Sequence, residues 1–150
     1  MVNLKVGDRF PDVPGETDEG EISPSSFKGK NAVIYFYPKD NTPGCTKEAK
    51  DFRDFKEQFD KTNTEIVGVS TDSTKSHRKF ADKYDLNFTL LSDKSKTLCT
   101  RCGVTGLTGK TAKRTTFLVD KDGTIRHIWE DVKVSGHAED VLNTIRELKL

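Results

Sequence analysis

Cys45 lies in the segment Tyr35-Phe36-Tyr37-Pro38-Lys39-Asp40-Asn41-Thr42-Pro43-Gly44-Cys45-Thr46, and its surroundings favour a thiolate. The preceding run, Ala32 to Tyr37, is apolar without alternation, as in a strand buried on both faces of a parallel sheet. Thr42-Pro43 then reads as the N-cap and first residue of a helix. Cys45 therefore falls just past the C-terminal end of a strand, in the first turn of a helix. In open α/β sheets that edge is where ligands bind. The helix start offers unpaired N–H groups and a partial positive charge. Cysteines so placed ionise with a pKa between about 3.5 and 7.5, against about 8.5 for a free thiol. Gly44 lets a substrate approach the backbone closely, and Thr42 can turn its hydroxyl toward the sulfur or a bound oxygen. The competing reading is a buried, inert thiol, since free cysteine is often buried.

The elements needed to position such a thiol are legible in outline. The turn-rich stretch to Gly20 predicts short strands or a hairpin packed on a sheet edge, and Ser25 to Gly29 a helical turn. After Pro43, Ala49, Phe52, Phe55 and Phe59 form one apolar helix face. Glu65 to Ser70 reads as a second buried strand. Asp72 or Ser73 can cap a second helix, with His77, Phe80, Ala81 and Tyr84 on one face. Phe88 to Leu91 reads as a third strand, and Lys94 to Cys102 as a short helix ended by Gly103. Thr116 to Val119 and Thr124 to Trp129 flank Asp122-Gly123, a hairpin signal. A last helix carries Ala138, Val141, Leu142, Ile145 and Leu148. The order implies an α/β fold with a mixed central sheet and helices on both faces.

The 150 residues fit one domain, 1–150. With 33% charged residues of interleaved sign and a net charge of +1, no long-range field attracts nucleic acid or an anionic membrane. No apolar stretch has signal-peptide or membrane-spanning length, so a cytoplasmic protein is expected. Three cysteines, Cys45, Cys99 and Cys102, argue against a secreted disulfide framework. His77, His127 and His137 lie at no paired ligand spacing, so no metal is expected; they and Trp129 read as packing or surface residues, Trp129 as core.

The stretch Val33 to Ala49 closely resembles the active-site segment of peroxiredoxins, in the variant of the bacterioferritin-comigratory or peroxiredoxin Q subfamily. Pro38, Thr42 and Cys45 match the Pro-x-x-x-Thr-x-x-Cys motif in identity and spacing. Gly7-Asp8 with Phe10-Pro11, Gly68 to Asp72, Leu90 to Asp93 and Arg114 to Gly123 extend the resemblance over nearly the whole chain. It implies a thioredoxin-like fold and a thiol-dependent peroxidase without cofactor. Cys45 would be the peroxidatic cysteine, passing through a sulfenic acid. Arg114 would stabilise the thiolate and the peroxide oxygens, Thr42 hold the attacked oxygen and Pro38 shield the site. The N–H groups of Gly44 and Cys45 would bind peroxide as an oxyanion hole does. Hydrogen peroxide and organic hydroperoxides would be the substrates, a thioredoxin-like or other thiol protein the reductant, and the chain a monomer or weak dimer.

The chain departs from the subfamily at the second thiol. A resolving cysteine five residues after the first is replaced by Lys50, and the alternative in the next helix corresponds to Ala81. Cys99 or Cys102 could resolve the sulfenate; otherwise an external thiol does. A thioredoxin-like disulfide reductase would want a cysteine where Glu48 stands, and a cis-proline near Thr115, where there is none. A redox sensor would use the same thiol but turn over slowly.

Overall fold

The computed structural model describes residues 2–150. Its centre is a seven-stranded mixed sheet in the order β2-β1-β5-β4-β3-β6-β7. In chain order the strands are β1 (Gly15–Thr17), β2 (Gly20–Ile22), β3 (Asn31–Phe36), β4 (Thr64–Ser70), β5 (Thr89–Ser92), β6 (Thr115–Val119) and β7 (Ile125–Trp129). The helices are α1 (Pro43–Asp54), α2 (Lys56–Lys61), α3 (Thr74–Tyr84), α4 (Thr97–Cys102) and α5 (His137–Leu148).

β3, β4 and β5 run parallel, whereas β6 is antiparallel to β3 and β7 to β6. The expected N-terminal hairpin is β1–β2, and it joins the sheet antiparallel to β5 at Glu16 and Ser92. A single 3-10 turn at Pro24–Phe27 precedes β3.

Alternation along β3 divides the core in two. Val33, Tyr35 and Tyr37 face one side with Cys45, Phe52, Phe59, Phe80 and the apolar stripe of α5. Ala32, Ile34 and Phe36 face the other, with Phe10, Leu98, Cys99, Cys102 and Val104. The β3–α–β4 and β4–α3–β5 connections both advance the sheet in one direction, so right-handed crossovers put α1, α2 and α3 on the same face. α4 lies on the opposite face, where the chain returns from β5 to β6.

Three expectations are corrected. The stripe Ala49-Phe52-Phe55-Phe59 does not belong to one helix: Phe55, at φ −95° and ψ 3°, ends α1, and α2 starts at the next residue. The bend lets Phe52 and Phe59 both be fully buried while Phe55 remains partly exposed. The helix expected from Lys94 begins only at Thr97, because Asp93 caps it, its carboxylate accepting from the N–H groups of Leu98 and Cys99 at 3.0 and 2.7 Å. Trp129, expected in the core, is only half-buried on the edge strand β7, where its indole N–H donates to Asp140 at 3.0 Å. Of the two candidate caps for α3, Ser73 is the one used, accepting from the Ser76 N–H.

Candidate active site

β3 ends at Phe36 and the chain turns through Pro38–Asn41 into α1, which starts at Pro43. Cys45 sits in that first turn and is 1% exposed. The first rung of the helix ladder is Thr46 N–H to the Thr42 carbonyl at 2.8 Å, so the N–H groups of Gly44 and Cys45 precede it and stay free for a ligand. Thr42 has the extended backbone of an N-cap but makes no side-chain cap. Its hydroxyl donates instead to the Lys39 carbonyl at 2.9 Å. The single proton of Thr42 is thereby committed, and its oxygen can only accept, as from the O–H of a hydroperoxide.

Arg114, just ahead of β6, reaches across to α1. Its Nη2 donates to Cys45 Sγ at 3.3 Å and its Nη1 to Glu48 Oε1 at 2.7 Å. Gly44 makes room for this: a Cβ there would lie 3.2 Å from Arg114 Nη2. The sequence pointed to Gly44 for substrate approach, whereas the close neighbour in the structure is the guanidinium. Glu48 is 1% exposed, and burial, only partly offset by Arg114, pushes its carboxyl up to about 7. Sequence reading passed over Glu48 as a catalytic neighbour. The signal was present: on the stripe Cys45-Glu48-Ala49-Phe52, one acid interrupts an otherwise apolar helix face.

A second polar cluster fixes the turn from below. Tyr37 and Ser76 donate to the two oxygens of Asp40, at 2.6 and 2.7 Å. The Asp40 N–H and the Ser70 hydroxyl donate to Asp72 Oδ2, at 2.8 and 2.9 Å. Ser70 gives away its one proton there, so His77 Nε2, 2.7 Å from Ser70 Oγ, is the donor in that contact. Desolvation lowers the pKa of His77 and raises that of Asp40. Asp40, Asp72 and His77 bring three ligand-type atoms within 4.8 Å of one another, a grouping invisible in the sequence. The carboxylates are already bonded to hydroxyl and amide donors, and the cluster reads as a clasp between the Cys45 loop and the start of α3.

The structure brings Gly44, Cys45 and Arg114 together, with Thr42 at the N-cap of the same helix and Pro38 in the loop that leads to it. It does not bring Cys99 or Cys102 to them. All three cysteines are free thiols, but Cys99 and Cys102 lie in the core on the other face of the sheet. Burial pushes the Cys99 thiol far up and that of Cys102 up to about 12, so neither supplies a thiolate near neutral pH. The positions of the missing resolving thiols carry Lys50, exposed with its ammonium 5.8 Å from the Tyr84 ring centroid, and the half-buried Ala81.

Residues 6–128 match the model of the AhpC/TSA family. The chain is 46% identical over 151 residues to a putative peroxiredoxin bcp of Coxiella burnetii, covering 96% of this chain and all of that one. It is 41% identical to peroxiredoxin Bcp of Bacillus subtilis, with 98% of each chain covered. Among solved structures, a cysteine-to-serine mutant of Xylella fastidiosa PrxQ superposes with a TM-score of 0.92 at 34% identity, over 99% of both chains. The bacterioferritin comigratory protein of Xanthomonas campestris, described with its alkyl peroxide reduction activity, gives 0.89 at 36% identity over the whole of both chains. The chain thus belongs to the AhpC/TSA family beside the Bcp and PrxQ peroxiredoxins, as a thiol-dependent peroxidase on a thioredoxin-like sheet.

Proposed function

We propose that Cys45 is the attacking thiolate and that an external thiol resolves it. The observation that carries the first part is the 3.3 Å contact from Arg114 Nη2 to Sγ, the cysteine itself being 1% exposed. A fixed guanidinium there favours the charged sulfur and meets the charge that develops on the departing oxygen. Thr42 accepts from the hydroperoxide O–H, the Gly44 and Cys45 N–H groups point at the attacked oxygen, and Pro38 closes the loop over it. Attack forms the S–O bond and breaks O–O, leaving Cys45 as a sulfenic acid and the distal oxygen as hydroxide or alkoxide.

The partition of thiols by the sheet supports the second part. Reaching Cys99 or Cys102 would require α1 to unwind and α4 to leave its core, whereas an incoming thiol approaches Cys45 from its own side of the sheet. Resolution then yields a mixed disulfide, which a second thiol, such as that of a thioredoxin-like dithiol protein, reduces. A reducing compartment, the cytoplasm, suits a chain whose cysteines are all free.

One equivalent of hydrogen peroxide added to the reduced protein, followed by mass-spectrometric mapping, tests both parts. Sulfenic or sulfinic Cys45 with Cys99 and Cys102 still reduced is the expected pattern. A Cys45–Cys99 or Cys45–Cys102 disulfide would refute the external route, and an unmodified Cys45 the assignment of the nucleophile.

A further inference from the structure

Arg114 is one cation set against two buried acids. Its Nη2 meets the Cys45 sulfur at 3.3 Å and its Nη1 meets Glu48 Oε1 at 2.7 Å. The other carboxyl oxygen, Glu48 Oε2, is buried without a hydrogen-bond partner. The groups around this pair come from four elements. α1 contributes Cys45 and, more distantly, Asp51; β3 contributes Tyr35, whose hydroxyl is also buried and unpartnered; Arg114 comes from the segment before β6; and His137 of α5 faces Arg114. Tyr35 and His137 are both held neutral by burial near pH 7. Among the described residues Arg114 is therefore the one positive charge in the pocket, and ionising both Cys45 and Glu48 would leave a net negative charge on two acids that are each 1% exposed.

We propose that Cys45 and Glu48 share a single proton across the Arg114 guanidinium, so that the thiolate is present in the form whose Glu48 is protonated, and Glu48 is a positioning residue that stores the thiol proton during peroxide attack. The inference rests on the peroxidase reading of Cys45. The resting pair exchanges Cys45–SH with ionised Glu48 for Cys45–S⁻ with protonated Glu48. An unpartnered Oε2 suits the protonated carboxyl, since an unbonded O–H is less costly to bury than an unbonded half of a carboxylate. Attack on ROOH then oxidises sulfur by two electrons, forms Cys45–SOH and expels RO⁻. The sulfenic acid carries no charge, so Arg114 is left to Glu48 alone. Glu48 ionises, and its proton, passed on through water, completes ROH. The thiol proton that entered Glu48 ends on the alcohol, and the pocket keeps the same total charge throughout.

Coupled acids shift one another's midpoints reciprocally. Titration of the reduced protein by the ultraviolet absorbance of the thiolate is the first arm. Cys99 and Cys102 ionise far above the working range and do not overlap it. In Glu48→Gln the Cys45 midpoint is expected about one pH unit or more below that of the wild type, a tenfold gain in thiolate on the acid side. The infrared carbonyl band of protonated Glu48 in Cys45→Ser is the second arm, and it needs no change at Glu48. That band is expected to disappear at lower pH than in the wild type, by a similar interval. A Cys45 midpoint unmoved or raised in Glu48→Gln, or a carboxyl midpoint unchanged by loss of the thiol, overturns the proposal; if Glu48→Gln does not fold, the second arm decides alone. Neither arm uses peroxide, so failure of the coupling leaves peroxidase activity untouched, and loss of that activity is seen separately.

Discussion

Arg114 reaches the sulfur across Gly44, which has no side chain to crowd it. A Cβ at position 44 would press within 3.2 Å of Nη2, and the guanidinium would have to give way. Gly44→Ala asks a shift of a few tenths of an ångström and is accordingly expected to lower the second-order rate with peroxide by about two- to tenfold, since a misplacement of a full ångström costs about a hundredfold at a reacting centre. The backbone at this position is ordinary for any residue, so the loss should come with little change in the urea midpoint; an unaltered rate would show that the arginine finds another route. The residues of this site were legible to different depths. Cys45, Thr42 and Pro43 could be read from local physics, because a strand end and a helix start adjoin in sequence. Arg114 could be read only by resemblance, since it meets the sulfur across 69 positions and no local pattern marks it. Glu48 lay in view as an acid on an apolar stripe and was read only as the absence of a second cysteine.

At the scale of elements, the Cys45 loop is held by the clasp of Asp40, Asp72, Ser70, Ser76 and His77. Asp40→Ala strips the acceptor from the Tyr37 and Ser76 hydroxyls, both drawn into the interior. A destabilisation of about 2–4 kcal/mol is expected from stranding them, measured by urea unfolding, together with a slower peroxide reaction as the loop loses its anchor. The clasp joins the end of β3 to the start of α3, segments more than 30 residues apart. Pattern and spacing therefore gave no sign of it. α4 teaches a related lesson. Its residues were read as a short helix ended by Gly103, which is what forms. Which face of the sheet it would cover was not in the periodicity; that follows from the return of the chain from β5 to β6. Cys99→Ser and Cys102→Ser should each cost about 1–3 kcal/mol, a hydroxyl being poorly housed in that core, while turnover with an external thiol stays at the wild-type rate. Slowed turnover in either variant would restore them as candidates for resolution.

For the whole molecule, the acid side of the stability profile carries the signature of buried imidazole. His137 bonds the Thr116 hydroxyl at 2.8 Å and desolvation lowers its pKa to about 4, against 6.5 when unfolded. Between those values the unfolded chain binds the extra proton. Stability contributed by neutral His137 is thus complete above about pH 6.5 and lost as the pH falls toward 4. The loss is on the order of 3 kcal/mol for this group. His77, also lowered, adds in the same direction. Glu48 and Asp40, both raised by burial, act in the opposite direction, so the histidine effect is read as the difference between wild type and His137→Gln in denaturant unfolding from pH 7 to 4; equal slopes for the two proteins would place the proton elsewhere.

The sheet that separates Cys45 from Cys99 and Cys102 also sets the fate of the enzyme under peroxide excess. On the external route proposed for Cys45, the sulfenate has no built-in trap on its own side of the sheet, and its lifetime is governed by the supply of thiol from outside. Two reactions compete for it: capture by that thiol and a second encounter with peroxide, which carries the sulfur to sulfinic acid and out of the cycle. Survival of the catalyst therefore depends on the ratio of two concentrations in its surroundings, peroxide and reductant. The lesion stays on one sulfur, since the far half of the core keeps its two thiols protonated and dry.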